Sequence, residues 1–377
     1  MAEQIRVLHL LTTLVSGGVQ QVVLNYAKKI KEYDVIFDYI VQGKGNPDIE
    51  NKCLLNGSKI YYLPEMTKHP IGFSGNLFRL LKMYPEYKII HIHQNYQNTL
   101  PLWIAKIAGV NVRISHSHSS RPKSTAVKEI LKGLDRRMLI AASTDLWACG
   151  KAAYSWLYGR ELVLSDIHSF ILHNSVDSKK YAFDVARRRR VRQELKIDDE
   201  FICMCVATLS DNKNQSFLLD IMWYLKNNSR ENIKLIIVGD GGIRSELEGK
   251  CSNLNLDECV VFLGDRRDVP DLLNAADCFL LPSHFEGFGL SIVEARANGL
   301  PCIVSSNVTD EVKIGKDVCF IDIGDGAVKK WAERIIRCEH KHYINRDEMV
   351  RTISNTGFDL ETEADKLSQL YKEMSKS

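Results

Sequence analysis

From end to end the chain alternates between short apolar runs of strand character and longer segments of helical period, and this alternation constrains its fold more than any other feature. The first half places strands at Ile5–Leu11, Val35–Val41, Lys59–Leu63, Ile89–His93, Val112–Ser115 and Leu146–Cys149. Amphipathic stretches lie between them at Val19–Ile30, Leu77–Met83, Leu100–Ala108 and Lys128–Ala141. The pattern resumes after Asp177 with strands at Phe201–Ala207, Leu235–Val238, Val260–Leu263, Cys278–Leu281, Cys302–Val304 and Cys319–Asp322. Parallel strands need a crossover between them, usually a helix, and strands covered on both faces read as continuous apolar runs. The expectation is therefore α/β, with two doubly wound units whose ligands sit beyond the carboxyl ends of the strands. A length of 377 residues suits two such domains, each with its own core. The boundary falls in the polar stretch at about 172–183, giving domains 1–172 and 173–356. Lys179–Glu194, with the run Arg187-Arg188-Arg189-Arg190, is expected to open the second domain as a surface helix, and Asp359–Met374 is an amphipathic helix at the end.

Composition narrows the class. A net charge of +3 argues against a dedicated nucleic-acid binder, and 45% apolar with 26% charged residues favours a globular enzyme over a disordered chain. No apolar run reaches transmembrane length, and Met1–Leu14 reads as a strand rather than a secretion signal, so a cytoplasmic protein is expected. Ten dispersed cysteines without a CxxC pair are expected to be buried and reduced rather than zinc ligands; Cys203 and Cys205 alternate along a strand and face one side.

The densest chemistry lies in Pro282-Ser283-His284-Phe285-Glu286-Gly287-Phe288-Gly289-Leu290-Ser291-Ile292-Val293-Glu294-Ala295. A buried strand ends at Pro282, glycines allow a tight turn, and a helix runs from about Gly289 to Gly299. A helix N-terminus beside a glycine turn is a natural anion site, and Glu286 and Glu294 can each accept hydrogen bonds from sugar hydroxyls. Read alone, the stretch is equally an ordinary strand–turn–helix with exposed acids. Three further loops follow strands in the same way: Ser16-Gly17-Gly18, Ala207-Thr208-Leu209-Ser210-Asp211-Asn212-Lys213-Asn214, and Gly239-Asp240-Gly241-Gly242.

Glu286 and Glu294 in this setting resemble the Glu-x7-Glu motif of retaining glycosyltransferases of family 4, which have the GT-B fold: two Rossmann-like domains facing across a cleft. The resemblance covers nearly the whole chain. Leu8-His9-Leu10 through Val22-Val23 is similar to the family's first strand and glycine loop, and Leu172-His173-Asn174-Ser175-Val176-Asp177 to its pNGVD segment, with Ser175 for glycine. Val238–Gly241 and Phe262–Gly264 resemble two further strand ends, and the nearest subgroup is the bacterial capsule and exopolysaccharide transferases.

The resemblance implies roles residue by residue. Glu286 lies near the donor sugar, Glu294 holds the ribose, and amides of Phe288, Gly289 and Leu290 face the phosphates. Lys213 neutralises charge on the leaving diphosphate. Thr208 stands where the family has arginine, and Ala207 where it has glycine, so one charged bidentate contact is missing. Gly17 and Gly18 lie against the donor diphosphate, Gly241 and Arg267 help wall the base pocket, and the segment 357–377 crosses back onto the first domain. A histidine after the fifth strand, His118 with His116 as neighbour, lies by the sugar and acceptor; His91 and His93 read as structural.

No DxD metal motif is present, so neither metal nor cofactor is expected; the nucleoside-diphosphate sugar is a co-substrate, with a UDP-sugar favoured. The expected acceptor is a glycan or polyprenyl-diphosphate-linked intermediate, with Arg121 on its side. The basic stretch Arg121–Arg137 suits peripheral contact with an anionic membrane at its inner face, or simply a solvated helix face. The rival functions are a sugar-nucleotide epimerase of the same fold and a non-catalytic partner in a polysaccharide assembly complex.

Overall fold

The computed structural model describes residues 4–15, 18–118, 126–159, 168–230, 232–286, 288–339, 346 and 349–376, with side chains described for all of these except 126–131 and 168. The chain divides into two compact units: Met1–Ser175 with Leu360–Ser377, and Val176–Asp359. Val176 and Asp359 pair as a parallel bridge, and Val176 N–H donates to Phe358 O at 2.9 Å, so the second unit is entered and left at one place.

In the first unit the strands are β1 (Ile5–Leu10), β2 (Val35–Val41), β3 (Ile60–Tyr62), β4 (Ile89–Ile92), β5 (Val112–Ser117), β6 (Asp145–Ala148) and β7 (His168–Ile171). They form a parallel sheet in the order β3-β2-β1-β4-β5-β6-β7, with His9 of β1 in register with His91 of β4. Strand order reverses between β1 and β4, which opens a crevice at their carboxyl ends. The seven residues of β2 are all buried, and its Asp38 is satisfied by Arg6 at 2.6 and 2.7 Å and by Tyr87 at 2.7 Å. Helix Gly18–Ile30 packs against the last helix, Leu360–Met374, which buries Leu360, Ala364, Leu367 and Tyr371. The sequence pattern did not predict β7, an edge strand whose first two residues, His168 and Ser169, break the apolar run that marks the other strands. Helix Pro70–Met83 also starts seven residues before the predicted Leu77, because Gly72 and Gly75 interrupt its apolar stripe; Pro70 at its first position suits a helix start.

The second unit has strands β8 (Phe201–Val206), β9 (Ile233–Val238), β10 (Val260–Gly264), β11 (Cys278–Leu281), β12 (Cys302–Ser305) and β13 (Val318–Ile321), parallel in the order β10-β9-β8-β11-β12-β13. Here the reversal lies between β8 and β11. The predicted surface helix Lys179–Glu194 is two helices, Ser178–Tyr181 and Val185–Glu194, the second capped by Asp184 accepting from Arg187 N–H at 2.8 Å. Its arginines are not all solvated. Arg188 donates to the carbonyls of Asn274, Ala275 and Ala276, at 3.0, 3.1 and 2.9 Å, and pairs with Asp277 at 2.6 Å, so a guanidinium closes the end of helix Val269–Ala275. All ten cysteines are thiols rather than disulfides, and eight are buried.

Candidate functional site

In the second unit the loops after β8 and β11 are neighbours because their strands are neighbours, and hydrogen bonds lace them together. His284 N–H donates to Asn212 O at 2.8 Å, Asn212 Nδ2 to Phe285 O at 2.8 Å, and Asn214 Nδ2 to Pro282 O at 3.2 Å. Asn214 takes φ +55°, turning the chain into helix Gln215–Asn227 and leaving Lys213 on the outside of the turn. Lys213 Nζ pairs there with Glu286 Oε2, and both side chains are largely buried, at 23% and 15% exposure. Ser283 Oγ donates to the same oxygen at 3.5 Å. A lysine and a carboxylate held together at the strand-order reversal form a polar centre that a charged, hydroxyl-rich ligand can divide between them.

Helix Leu290–Ala297 begins at this centre. Gly289 adopts φ +71°, and a Cβ there would lie 2.8 Å from Ile292 Cδ1, so glycine meets both a conformational and a packing demand. Phe288 anchors the turn, with its ring buried 5.5 Å from that of Phe358. Leu290 opens the helix, one turn before Glu294. Tyr181 donates to Glu294 Oε1 at 2.7 Å, and the Tyr181 carbonyl accepts from Asn298 Nδ2 at 2.9 Å. Burial raises the Glu294 carboxyl to about 7, against the opposing pull of Tyr181 and Lys180. Gly287 lies outside the described residues.

The remaining second-unit candidates surround the same sheet edge. Thr208 is exposed just past β8, its carbonyl accepting from Gln215 Nε2 at 3.0 Å. The loop after β9 runs beside it: Ala207 N–H donates to Val238 O and Leu209 N–H to Asp240 O, both at 3.0 Å. This approach explains two glycines, since a Cβ on Gly239 would lie 2.0 Å from Ala207 O and one on Gly241 2.1 Å from Leu209 O. Arg267, after β10, is exposed, whereas its neighbour Arg266 is tied to Asp268 at 2.5 and 2.7 Å.

In the first unit Gly17 and Arg121 lie outside the described residues, and Gly18 is the exposed first residue of its helix. His116 and His118 are brought together, their rings stacked 3.9 Å apart. They join His9, His91 and His93 on one face at the carboxyl ends of β1, β4 and β5. His118 donates its backbone N–H to Asn95 Oδ1 at 3.0 Å and is only part-buried; the other four are buried. Burial holds all five imidazoles far below the ordinary histidine range, His9 and His118 at about 3, with neighbouring rings adding to the effect at His91, His93 and His116. Sequence reading treated His91 and His93 as structural, apart from His116 and His118. The HxH spacing on two strands was the available signal, because residues two apart share a face.

Comparison with known proteins agrees with this architecture. Residues 187–355 match the family model described as glycosyl transferases group 1. EpsF of Bacillus subtilis (strain 168), described as a glycosyltransferase, is 29% identical over 98% of this chain and 97% of its own length. The UDP-Gal:alpha-D-GlcNAc-diphosphoundecaprenol alpha-1,3-galactosyltransferase of Escherichia coli is 28% identical over 79% of this chain and 78% of its own. Among solved structures, Anabaena HepE in complex with UDP superposes with a TM-score of 0.77 at 18% identity, covering 98% of this chain and 100% of that one. Two parallel doubly wound units, a second unit matched by a family model and a relative aligned over nearly its whole length lead to one conclusion: the chain is a glycosyltransferase of the GT-B fold, with residues 187–355 similar to the glycosyl transferases group 1 family.

Proposed function

We propose that this enzyme transfers a sugar from a nucleoside-diphosphate sugar, with UDP as the favoured carrier, to a lipid-linked glycan intermediate in cell-surface polysaccharide synthesis. The observation that carries the donor side is the Lys213–Glu286 pair at the β8/β11 reversal, directly before the helix that holds Glu294. Incoming diphosphate draws the Lys213 ammonium, while the first amides of helix Leu290–Ala297 meet the same charge. Glu286, released from the lysine, accepts from the sugar hydroxyls, and Glu294 accepts from the ribose. Thr208, Gly241 and Arg267 complete the donor contacts of the second unit. His118, with His116 and Arg121, serves the acceptor side.

Charge on the departing diphosphate is met by lysine and backbone amides, so the donor needs no metal. Departure on the face where the acceptor hydroxyl arrives retains the anomeric configuration without a covalent intermediate, with both glutamates engaged by hydroxyls rather than by the anomeric carbon. The acceptor class rests on the diphosphoundecaprenol substrate named for the Escherichia coli relative. No helix among the described residues is long and apolar enough to cross a membrane, which fits peripheral work at the cytoplasmic face.

The test is sugar transfer by Lys213→Ala and Glu286→Ala. Both positions are in loops outside the cores, so circular dichroism should be unchanged while turnover falls by roughly 10²-fold or more. Native turnover in both folded variants would remove the assignment.

A further inference from the structure

The five histidines of the first unit are wired to one another. Tyr371 Oη lies 2.7 Å from His91 Nδ1, and His91 Nε2 lies 2.9 Å from His116 Nδ1. In a second chain, His9 Nδ1 is 2.9 Å from His93 Nε2, and His93 Nδ1 is 2.8 Å from His118 Nε2. Three ring nitrogens remain buried without a hydrogen-bond partner among the described residues: His9 Nε2, His116 Nε2 and His118 Nδ1. Such orphans are costly in an interior. His93, His116 and His118 each also offer a ring nitrogen within 4.8 Å of the other two.

We propose that His93, His116 and His118 form a binding site for a first-row divalent cation of the zinc class, with His9, His91 and Tyr371 holding the ligand rings in place. The hydrogen bonds select the ligand atoms. If His93 Nδ1, His118 Nε2 and His116 Nε2 are bare and face the ion, every other proton position follows. His93 Nε2–H then donates to His9 Nδ1, His116 Nδ1–H donates to His91 Nε2, and His91 Nδ1–H donates to Tyr371 Oη. Two of the three ligand imidazoles thus give their remote N–H to a further side chain, the arrangement that fixes tautomer and orientation in histidine metal sites. The ion also satisfies the orphaned His116 Nε2. Tetrahedral zinc with bonds of about 2.0–2.1 Å needs ligand nitrogens about 3.3 Å apart, reachable by small ring rotations. Imidazole suits zinc, copper and nickel rather than magnesium or calcium. His118 is the most exposed of the three, and three imidazoles leave the fourth position of a tetrahedral ion to another ligand. The ion has no part in holding the donor diphosphate.

The experiment uses the full chain without a histidine tag. After chelator treatment the protein is equilibrated with Zn²⁺, freed of excess metal by gel filtration and assayed by elemental mass spectrometry. Roughly one zinc per chain is expected. His93→Asn and His116→Asn should fall to background, while His69→Asn, at an exposed position, should keep full occupancy. Co²⁺ in place of zinc should give the visible bands of a tetrahedral nitrogen-ligated ion, a readout that stands even if the variants misfold. No zinc retained by the native chain, undiminished zinc in folded His93 and His116 variants, or an octahedral cobalt spectrum would each overturn the proposal.

Discussion

Thr208 and Glu294 are the side chains through which the proposed donor site can be tested one residue at a time. Thr208 is exposed on the loop that carries Lys213, and a threonine there supplies at most one neutral hydrogen bond. Thr208→Arg should tighten UDP binding by about 1–3 kcal/mol, roughly five- to a hundredfold by calorimetry, because a charged bidentate contact replaces it. An unchanged affinity would place Thr208 away from the phosphates. Glu294 carries a different signature. Its carboxyl is raised to about 7 by burial, so its folded-state pKa lies above the ordinary glutamate value of 4.5. The stability linked to its protonation is complete below that ordinary value and is lost as pH rises through about 7. Ribose hydroxyls donating to the carboxylate favour the ionised form, so binding draws the proton off. Affinity for a UDP-sugar, whose diphosphate diester does not titrate in this range, should therefore rise between about pH 6 and 8, by up to about tenfold per unit. Glu294→Gln should flatten the profile; an equally steep profile in the variant would exclude Glu294 as its source.

At the scale of elements, placement follows from neighbouring strands and from close backbone approach. Gly239 and Gly241 let the loop after β9 lie against residues 207–209, which steadies the segment leading to Lys213. On the first unit, helices Thr99–Ala108 and Ala126–Ala142 pack side by side: Trp103 Nε1 donates to Met138 O at 3.1 Å and Lys106 Nζ to Ala141 O at 2.7 Å. Their outer surface shows Ile107, Leu134 and Met138, all more than half exposed, beside exposed Lys106 and Arg137. Apolar side chains flanked by cations suit the surface of an anionic bilayer. The protein should sediment with phosphatidylglycerol vesicles and not with phosphatidylcholine alone, and Leu134→Glu with Met138→Glu should abolish the association. Equal sedimentation of that double variant would move the membrane contact elsewhere.

At the scale of the molecule, each unit gathers its polar residues where its strand order reverses. In the second unit these are Lys213, Glu286 and the start of a helix; in the first, the histidines. The proposed donor site has a lysine and helix amides available for phosphate charge, so UDP affinity should be the same in EDTA and in Mg²⁺. Loss of binding in EDTA that Mg²⁺ restores would show that these groups do not suffice.

The sequence by itself determined the architecture. Buried parallel strands must be apolar throughout and must alternate with helices, so β2 and β11 were legible to the residue, and so was the Glu286–Glu294 spacing on its turn and helix. Where polar residues or glycines interrupted the apolar signal, as in β7 and at the start of helix Pro70–Met83, periodicity had too little to work with. Tertiary structure decided the partnerships. Nothing local says that Lys213 pairs with Glu286, that Arg188 closes a helix some ninety residues away, or that Tyr181 donates to Glu294. The same holds for the histidines: HxH on β4 and HxH on β5 are ordinary strand residues until the parallel register sets them beside His9 and the last helix brings Tyr371 to them. Strand and helix formation are read from neighbours in the chain, whereas the polarity of a site depends on which strand ends the sheet order makes adjacent.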